Sequence, residues 1–248
     1  FVVERLCVKM LHVIFLEPET SGNVGAIARA MKNFGLRNLV VINPQCDIRD
    51  DDARKRAKHA RSILNNAKQF SSLLEMKESL KLDYLVGTTG AQGKDYNIPR
   101  LPLGPEDFAR KYSKFKDKLK VGLIIGREGS GLNSEEILEC DFLVTIPASL
   151  DYPILNASHA AAILFYELFK CATPRNGKGR KDQLSHVIPA NAKDKEILLK
   201  EVHRILDTMD FSHPSKKTTQ IKLWQRIVGK GFLTKREAEA LIGFLKKL

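Results

Sequence analysis

Three loops and one helix hold the residue types that could do chemistry. The helix segment is 23-NVGAIARA-30, where Arg29 stands between Ala28 and Ala30 on a face of small residues. Close packing accounts for the small residues and leaves the arginine unexplained. The loops are 87-GTTGAQGK-94, 126-GREGSGL-132 and 146-IPASLDYPILNASHAA-161, and each leaves the end of a strand-like run. Two are glycine-rich and all three carry small hydroxyl or amide residues, so backbone N–H and C=O groups can approach a ligand closely. Open parallel sheets hold ligands beyond the carboxyl ends of their strands. Singly each loop could be a tight turn; at three strand ends together they point to a ligand site.

Several chemistries are disfavoured by what these loops lack. No G-x-G-x-x-G fingerprint or G-x-x-x-x-G-K-[ST] phosphate loop occurs, against a nicotinamide enzyme and a P-loop ATPase. No G-x-S-x-G elbow occurs, against a hydrolase of that type. The six histidines show no metal spacing, and His159, at a helix start, is the one near the loops. Cys7, Cys46, Cys140 and Cys171 have no C-x-x-C spacing, which points away from zinc or a disulfide framework and toward a reducing cytoplasm.

The elements that must position these residues alternate. Strand patterns cover 11–16, 38–44, 83–89, 121–126 and 141–147. Helix patterns cover 23–34 (closed by Gly35), 52–67, 69–80, 104–112 (opened by Pro105), 133–140 (with Asn133 as N-cap) and 158–170. Strands alternating with helices imply an α/β domain with a parallel sheet covered on both faces. Residues 172–196, rich in Pro, Gly and charge, read as a linker. Helical patterns follow at 195–209, 219–231 and 234–248, the last opened by a Thr234/Glu237 capping box. The chain thus divides into a sheet domain, 1–171, a linker, 172–196, and a small helical extension, 197–248.

The 248 residues are 43% hydrophobic, ordinary for a globular protein with a full core. No run approaches the ~20 apolar residues of a bilayer span, and Glu4, Arg5 and Lys9 interrupt the apolar N-terminal stretch, against a signal peptide. The net charge is +12 and is uneven. From Cys171 onward there are 17 Lys and Arg against 8 Asp and Glu, so the linker and the extension together carry most of the excess. A basic segment on a near-neutral body suggests a polyanion, most simply nucleic acid.

The motifs N-x-G-x-x-A-R-A (23–30), G-R-E-x-x-G-L (126–132) and I-P…L-N-x-S-x-A (146–160) lie in order across residues 16–170. They resemble those of the SPOUT class of RNA 2′-O-ribose methyltransferases. The chain is most similar to the branch that modifies nucleotide 32 in the tRNA anticodon loop, and its tail, 219–247, resembles that branch's tail. The resemblance implies a parallel sheet whose C-terminal part is threaded into a trefoil knot. The knot forms a pocket for S-adenosyl-L-methionine, which leaves as S-adenosyl-L-homocysteine. It also implies a homodimer with the active site at the subunit interface, tRNA as partner, no metal and no membrane. The expected activity is methyl transfer to cytidine 32, with uridine as a further substrate. Another tRNA or rRNA site, or a non-catalytic RNA-binding protein on the same scaffold, remains as an alternative.

Carried over position by position, the resemblance makes Arg29, Asn23 and Asn156 catalytic. Asn23 is expected to cap its helix and to place the substrate phosphate or ribose. The cofactor is expected at Thr88, Thr89, Gly90, Gly126, Glu128, Ile146, Ile154, Leu155 and Asn156, with Glu128 accepting N–H bonds inside the knot. Ile154 departs from the serine that many relatives carry there, so no role of that serine is transferred. A ribose 2′-hydroxyl must lose its proton, or nearly so, as it attacks a methyl group. An ordinary arginine, with pKa above ~12, is no base. It can steady the developing alkoxide and grip a phosphate. The alternatives are a deprotonated arginine in a dry site, and an arginine that pairs with an acid across the dimer.

Overall fold

The structure, a computed structural model, describes residues 10–90, 102–114, 119–172 and 188–248. Cys7, His186, positions 91–94 of the first loop and most of the linker lie outside the described residues. The chain forms two compact units, Phe1–Gly179 and Arg180–Leu248.

The first unit holds a six-stranded parallel sheet. Its strands are β1 (Leu11–Leu16), β2 (Asn38–Ile42), β3 (Lys68–Phe70), β4 (Tyr84–Thr88), β5 (Val121–Ile125) and β6 (Phe142–Val144). The spatial order is β3-β2-β1-β5-β4-β6, with every described pairing parallel. β1, β5, β4 and β6 are therefore neighbours, and the segments leaving their carboxyl ends lie side by side. The helices are α1 (Ser21–Asn33), α2 (Asp51–Ala57), α3 (Arg61–Asn65), α4 (Leu73–Leu80), α5 (Pro105–Ser113), α6 (Ser134–Glu139) and α7 (Ala157–Ala172). Strand alternation divides them between two faces. Ile14, Leu16, Val40, Ile42, Ile124 and Leu143 pack with Met76 and Leu80 of α4 and Ile137 of α6. Phe142 turns the other way and meets Phe108 of α5, ring centroids 5.9 Å apart, and α5 packs on α7, which packs on α1.

Two expectations change here. The segment 69–80 is not one helix. It opens as the edge strand β3, and Ser72 then caps α4 by accepting from the N–H of Glu75 at 3.2 Å. Only Phe70 of β3 is even partly buried, too little apolar signal to mark a strand, whereas the Ser72/Glu75 spacing does mark the helix start. The segment 52–67 is also broken, by a 3-10 turn at Lys58–Ala60 with Lys58 at φ 51. Its buried residues Ala53, Ala57, Ala60 and Ile63 keep helical spacing through the break, so periodicity could not reveal it.

The second unit contains α8 (Ala192–Thr208), α9 (Pro214–Lys230) and α10 (Lys235–Leu245) around Leu198, Val202, Leu206, Val228 and Leu245. Trp224 packs against that cluster as an anchor. Helix α8 begins inside the stretch whose composition reads as linker, on an Asn191/Asp194 capping box. The Thr234/Glu237 box opens α10 as its spacing requires.

Candidate active site

Only four residues separate β1 from α1, and the chain turns sharply at Glu17 (φ 44). Its first turn carries no acidic residue, and its N-cap position, Thr20, makes no side-chain cap. The helix is finished from elsewhere. The carboxylate of Glu128, on the loop after β5, accepts from the backbone N–H of Glu19 (3.0 Å) and of Thr20 (3.1 Å). It also accepts from the side-chain amide of Asn23 (3.3 Å). A carboxylate at a helix N-terminus meets unpaired N–H groups and the positive end of the helix dipole. This corrects one expectation and gives Glu128 its partners. Asn23 does not cap α1, because the helix opens two residues earlier and Asn23 lies inside its first turn. The N–H bonds that Glu128 accepts come from α1 and the residues before it.

Asn23 bonds onward. Its Oδ1 accepts from Nδ2 of Asn156 at 3.2 Å. Asn156 directly precedes α7, and its own Oδ1 accepts from the N–H and Oγ of Ser158 at 2.9 and 2.7 Å. The second and third motifs thus meet on Asn23, at the start of the helix that bears Arg29.

The loop after β5 is a tight turn, closed by Arg127 N–H to Gly131 O (3.2 Å) and Gly131 N–H to Arg127 O (3.1 Å). A Cβ on Gly126 would lie 2.5 Å from the Gly131 backbone, so the turn can close only over glycine. Arg127, which its motif contains but to which the sequence assigns no role, locks it. Its guanidinium donates to Glu17 at 2.7 Å and to both oxygens of Glu136 at 2.8 and 2.9 Å. The hydrogen bond from Arg127 holds the Glu17 carboxyl below its ordinary range. Burial opposes ionisation of Glu136, but donation from Arg127 and the N–H of Asn133 outweighs it, and that carboxyl is also lowered. Glu136 is the acidic partner in the Asn133 capping box, the one local signal that could have marked it.

A cavity of about 490 Å³ opens beyond β4, β5 and β6. Thr88, Thr89 and Gly90 line it from the first loop, Gly126 and Glu128 from the second, and Ile146, Ile154 and Leu155 from the third. Thr89 N–H donates to Val144 O at 3.0 Å and ties the first and third loops together. Asn156 is not part of the lining, and Ser130, Leu132 and Asn133 are additions to it. Among the described residues the charged lining is Arg127 and Glu128, and Arg127 is neutralised by two glutamates. Apolar walls, backbone polar groups and a carboxylate suit a nucleoside carrying a positive sulfonium centre better than a polyphosphate. S-adenosylmethionine fits that description. Among the described residues no three His, Cys, Asp or Glu side chains gather as a metal site would need.

Arg29 is on α1 but outside the cavity lining, and its side chain is exposed. The small residues around it have a specific cause. A Cβ on Gly25 would lie 2.2 Å from the backbone oxygen of Ala53, so α2 rests directly on the α1 backbone.

Six parallel strands, helices on both faces and a pocket built from loops at the strand carboxyl ends define an α/β ligand-binding fold, and they agree with the SPOUT class that the motifs resemble. Residues 10–166 match the SpoU rRNA Methylase family, and the chain belongs to that family. It is 37% identical to the tRNA (cytidine-2′-O-)-methyltransferase TrmJ of Methanocaldococcus jannaschii, over 96% of this chain and 99% of that protein. The crystal structure of TrmJ from Z. mobilis ZM4 has the same fold, with a TM-score of 0.66 at 22% identity, over 95% of this chain and 97% of that one. The SpoU methyltransferase AviRb from Streptomyces viridochromogenes, solved with its cofactor AdoMet, gives a TM-score of 0.53 at 25% identity, over 65% of this chain and 60% of that one.

Proposed function

We propose that this protein methylates the ribose 2′-hydroxyl of cytidine at nucleotide 32 of the tRNA anticodon loop, using S-adenosylmethionine. The observation that carries the reading is the bonded line Glu128–Asn23–Asn156, which joins the pocket-lining loop to the helix bearing Arg29. The bound cofactor supplies a methyl group activated on a positive sulfur. The protein's own residues do the rest. The three loops hold the cofactor and exclude water from it. Asn23 and Asn156 fix the start of α1 relative to the pocket. Arg29 grips the phosphate beside the target ribose and steadies the oxyanion as the hydroxyl proton passes to water.

The same reading includes a homodimer that completes the site. Its support is the exposed apolar set Leu150, Tyr152, Ile154, Ile163 and Tyr166 on the third loop and α7. It includes the trefoil knot, supported by the loops after β5 and β6 converging on one cavity, and it assigns the helical extension to RNA binding and dimer support. Lys222, Arg226 and Lys230 recur every fourth residue along α9, a row suited to phosphates. It places the protein in the cytoplasm, in keeping with free thiols at Cys46, Cys140 and Cys171.

Purified protein incubated with labelled S-adenosylmethionine and tRNA should transfer label, and mass spectrometry should place it on cytidine 32. RNA binding without label transfer would sink the enzyme reading. Equal label in a tRNA carrying uridine 32 would widen the substrate.

A further inference from the structure

One stripe of α1 begins on buried glycines under α2 and ends in two exposed cations. Gly22, Gly25, Arg29 and Lys32 are spaced i, i+3, i+7 and i+10, and so share one stripe of α1. The segment 53–59 touches that stripe on both sides of Arg29. The Ala53 backbone rests on Gly25, and Lys32 Nζ donates to the carbonyl of His59. Asp50 ties the two helix starts, accepting from Ser21 Oγ at 2.7 Å while capping α2 through Ala53 N–H at 2.8 Å. Arg29 thus stands about 4.5 Å along the α1 axis from the residue that holds the 3-10 turn. That turn and its flanks are 54-RKRAKHAR-61. Arg56 is engaged with Asp52 at 3.2 Å, and Arg54 lies near Asp50. Lys55, Lys58 and Arg61 are exposed, and among the described residues none of them is in an ion pair. Lys58 holds φ at 51, a conformation that glycine or asparagine adopts more readily than lysine.

We propose that Lys55, Lys58 and Arg61 form a phosphate-binding strip for the RNA strand that flanks the nucleotide held at Arg29. This deepens the RNA methyltransferase reading and rests on it. The chemistry is that of a single-stranded polyanion laid along a rigid surface. Each cation neutralises one phosphate without reading a base, so the strip sets the strand's path and leaves sequence choice to the pocket. Rigidity comes from the packing of α2 on Gly25, which fixes the spacing between the strip and Arg29.

The test is the triple variant Lys55→Gln, Lys58→Gln, Arg61→Gln in the full chain. The control is Lys68→Gln, Lys81→Gln, Lys120→Gln, which removes the same charge from the amino-terminal ends of β3, β4 and β5. tRNA affinity and KM are measured across a salt series. The strip variant should lower the log–log salt slope by about 2, at roughly 0.7 per single-stranded phosphate contact, and raise KM roughly tenfold near 0.1 M salt. The loss should appear in KM rather than in kcat, and cofactor affinity should hold. Lys58→Gly, which suits the backbone angle but removes the ammonium, should give part of the same loss with no loss of melting temperature. Strip and control variants with the same slope and KM would overturn the proposal, as would a native chain that binds no RNA. If the native chain binds RNA but transfers no methyl group, the activity reading fails while the binding series still decides the strip.

Discussion

Two arginines on neighbouring elements show opposite uses of one side chain. Arg127, on the loop after β5, is 18% exposed and held between Glu17 and Glu136. Arg29, on α1, is exposed, with no ion pair among the described residues. The first has its donors filled by carboxylates and shapes a loop. The second, on the function proposed above, keeps its donors for the substrate. Sequence resemblance drew attention to Arg29 alone, yet the geometry that presents Arg29 runs through the loop that Arg127 closes.

The sharpest way to break this contrast is Arg29→Ala. Turnover should fall by about 10²- to 10³-fold or more, with cofactor affinity kept and stability within about 0.5 kcal/mol. Single-turnover rates, cofactor titration and thermal melting check all three, and a lost cofactor site would refute the assignment. Arg127→Met should do the reverse. Removing one partner of a largely buried ion pair should cost about 2–4 kcal/mol, lower the melting temperature by roughly 10 °C and weaken cofactor binding. Melting unchanged within a degree would refute the clamp. Asn23→Ala lies between them. It leaves both arginines but unties the helix from the pocket, and should lower kcat by about tenfold with a small change in stability; an unchanged kcat would refute the tether. The smallest effect is a pH dependence. Glu17 and Glu136 have folded-state values lowered below their unfolded ones, so their contribution is complete above the ordinary carboxylate range near ~4.3 and fades as pH falls below it. The melting gap between native protein and Arg127→Met should hold from pH 7 to about 5 and narrow toward pH 3. A gap that closes by pH 6 would mean another group controls it.

What the sequence disclosed follows from how each signal arises. The buried strands β1 and β5 are continuous apolar runs, and the caps at Asn133 and Thr234 are local spacings, so each could be read directly. The edge strand β3 and the turn at Lys58 were hidden, one because it buries almost nothing and the other because helical spacing survives it. The loops lining the cavity were visible through their glycines. Glu128 is legible through its motif, but its partners at Glu19 and Thr20 are distant in sequence and no local pattern records them. Arg127 went unread for the same reason, with Glu17 behind it by the same kind of distance. Asn23 was read as a cap because it opens its motif, and only the structure shows α1 already begun.

The borrowed cap on α1 also has a temporal consequence. Glu128 follows Glu19 by 109 residues. A ribosome adds about 5–20 residues per second, so roughly 5–20 seconds separate synthesis of the helix start from synthesis of its cap. During that interval the first turn of α1 has water in place of a carboxylate, and β1 lacks its neighbour β5. The helix that bears Arg29 is made well before its cap, so a nascent chain cannot hold that arginine in its final place until the pocket loop has also been translated.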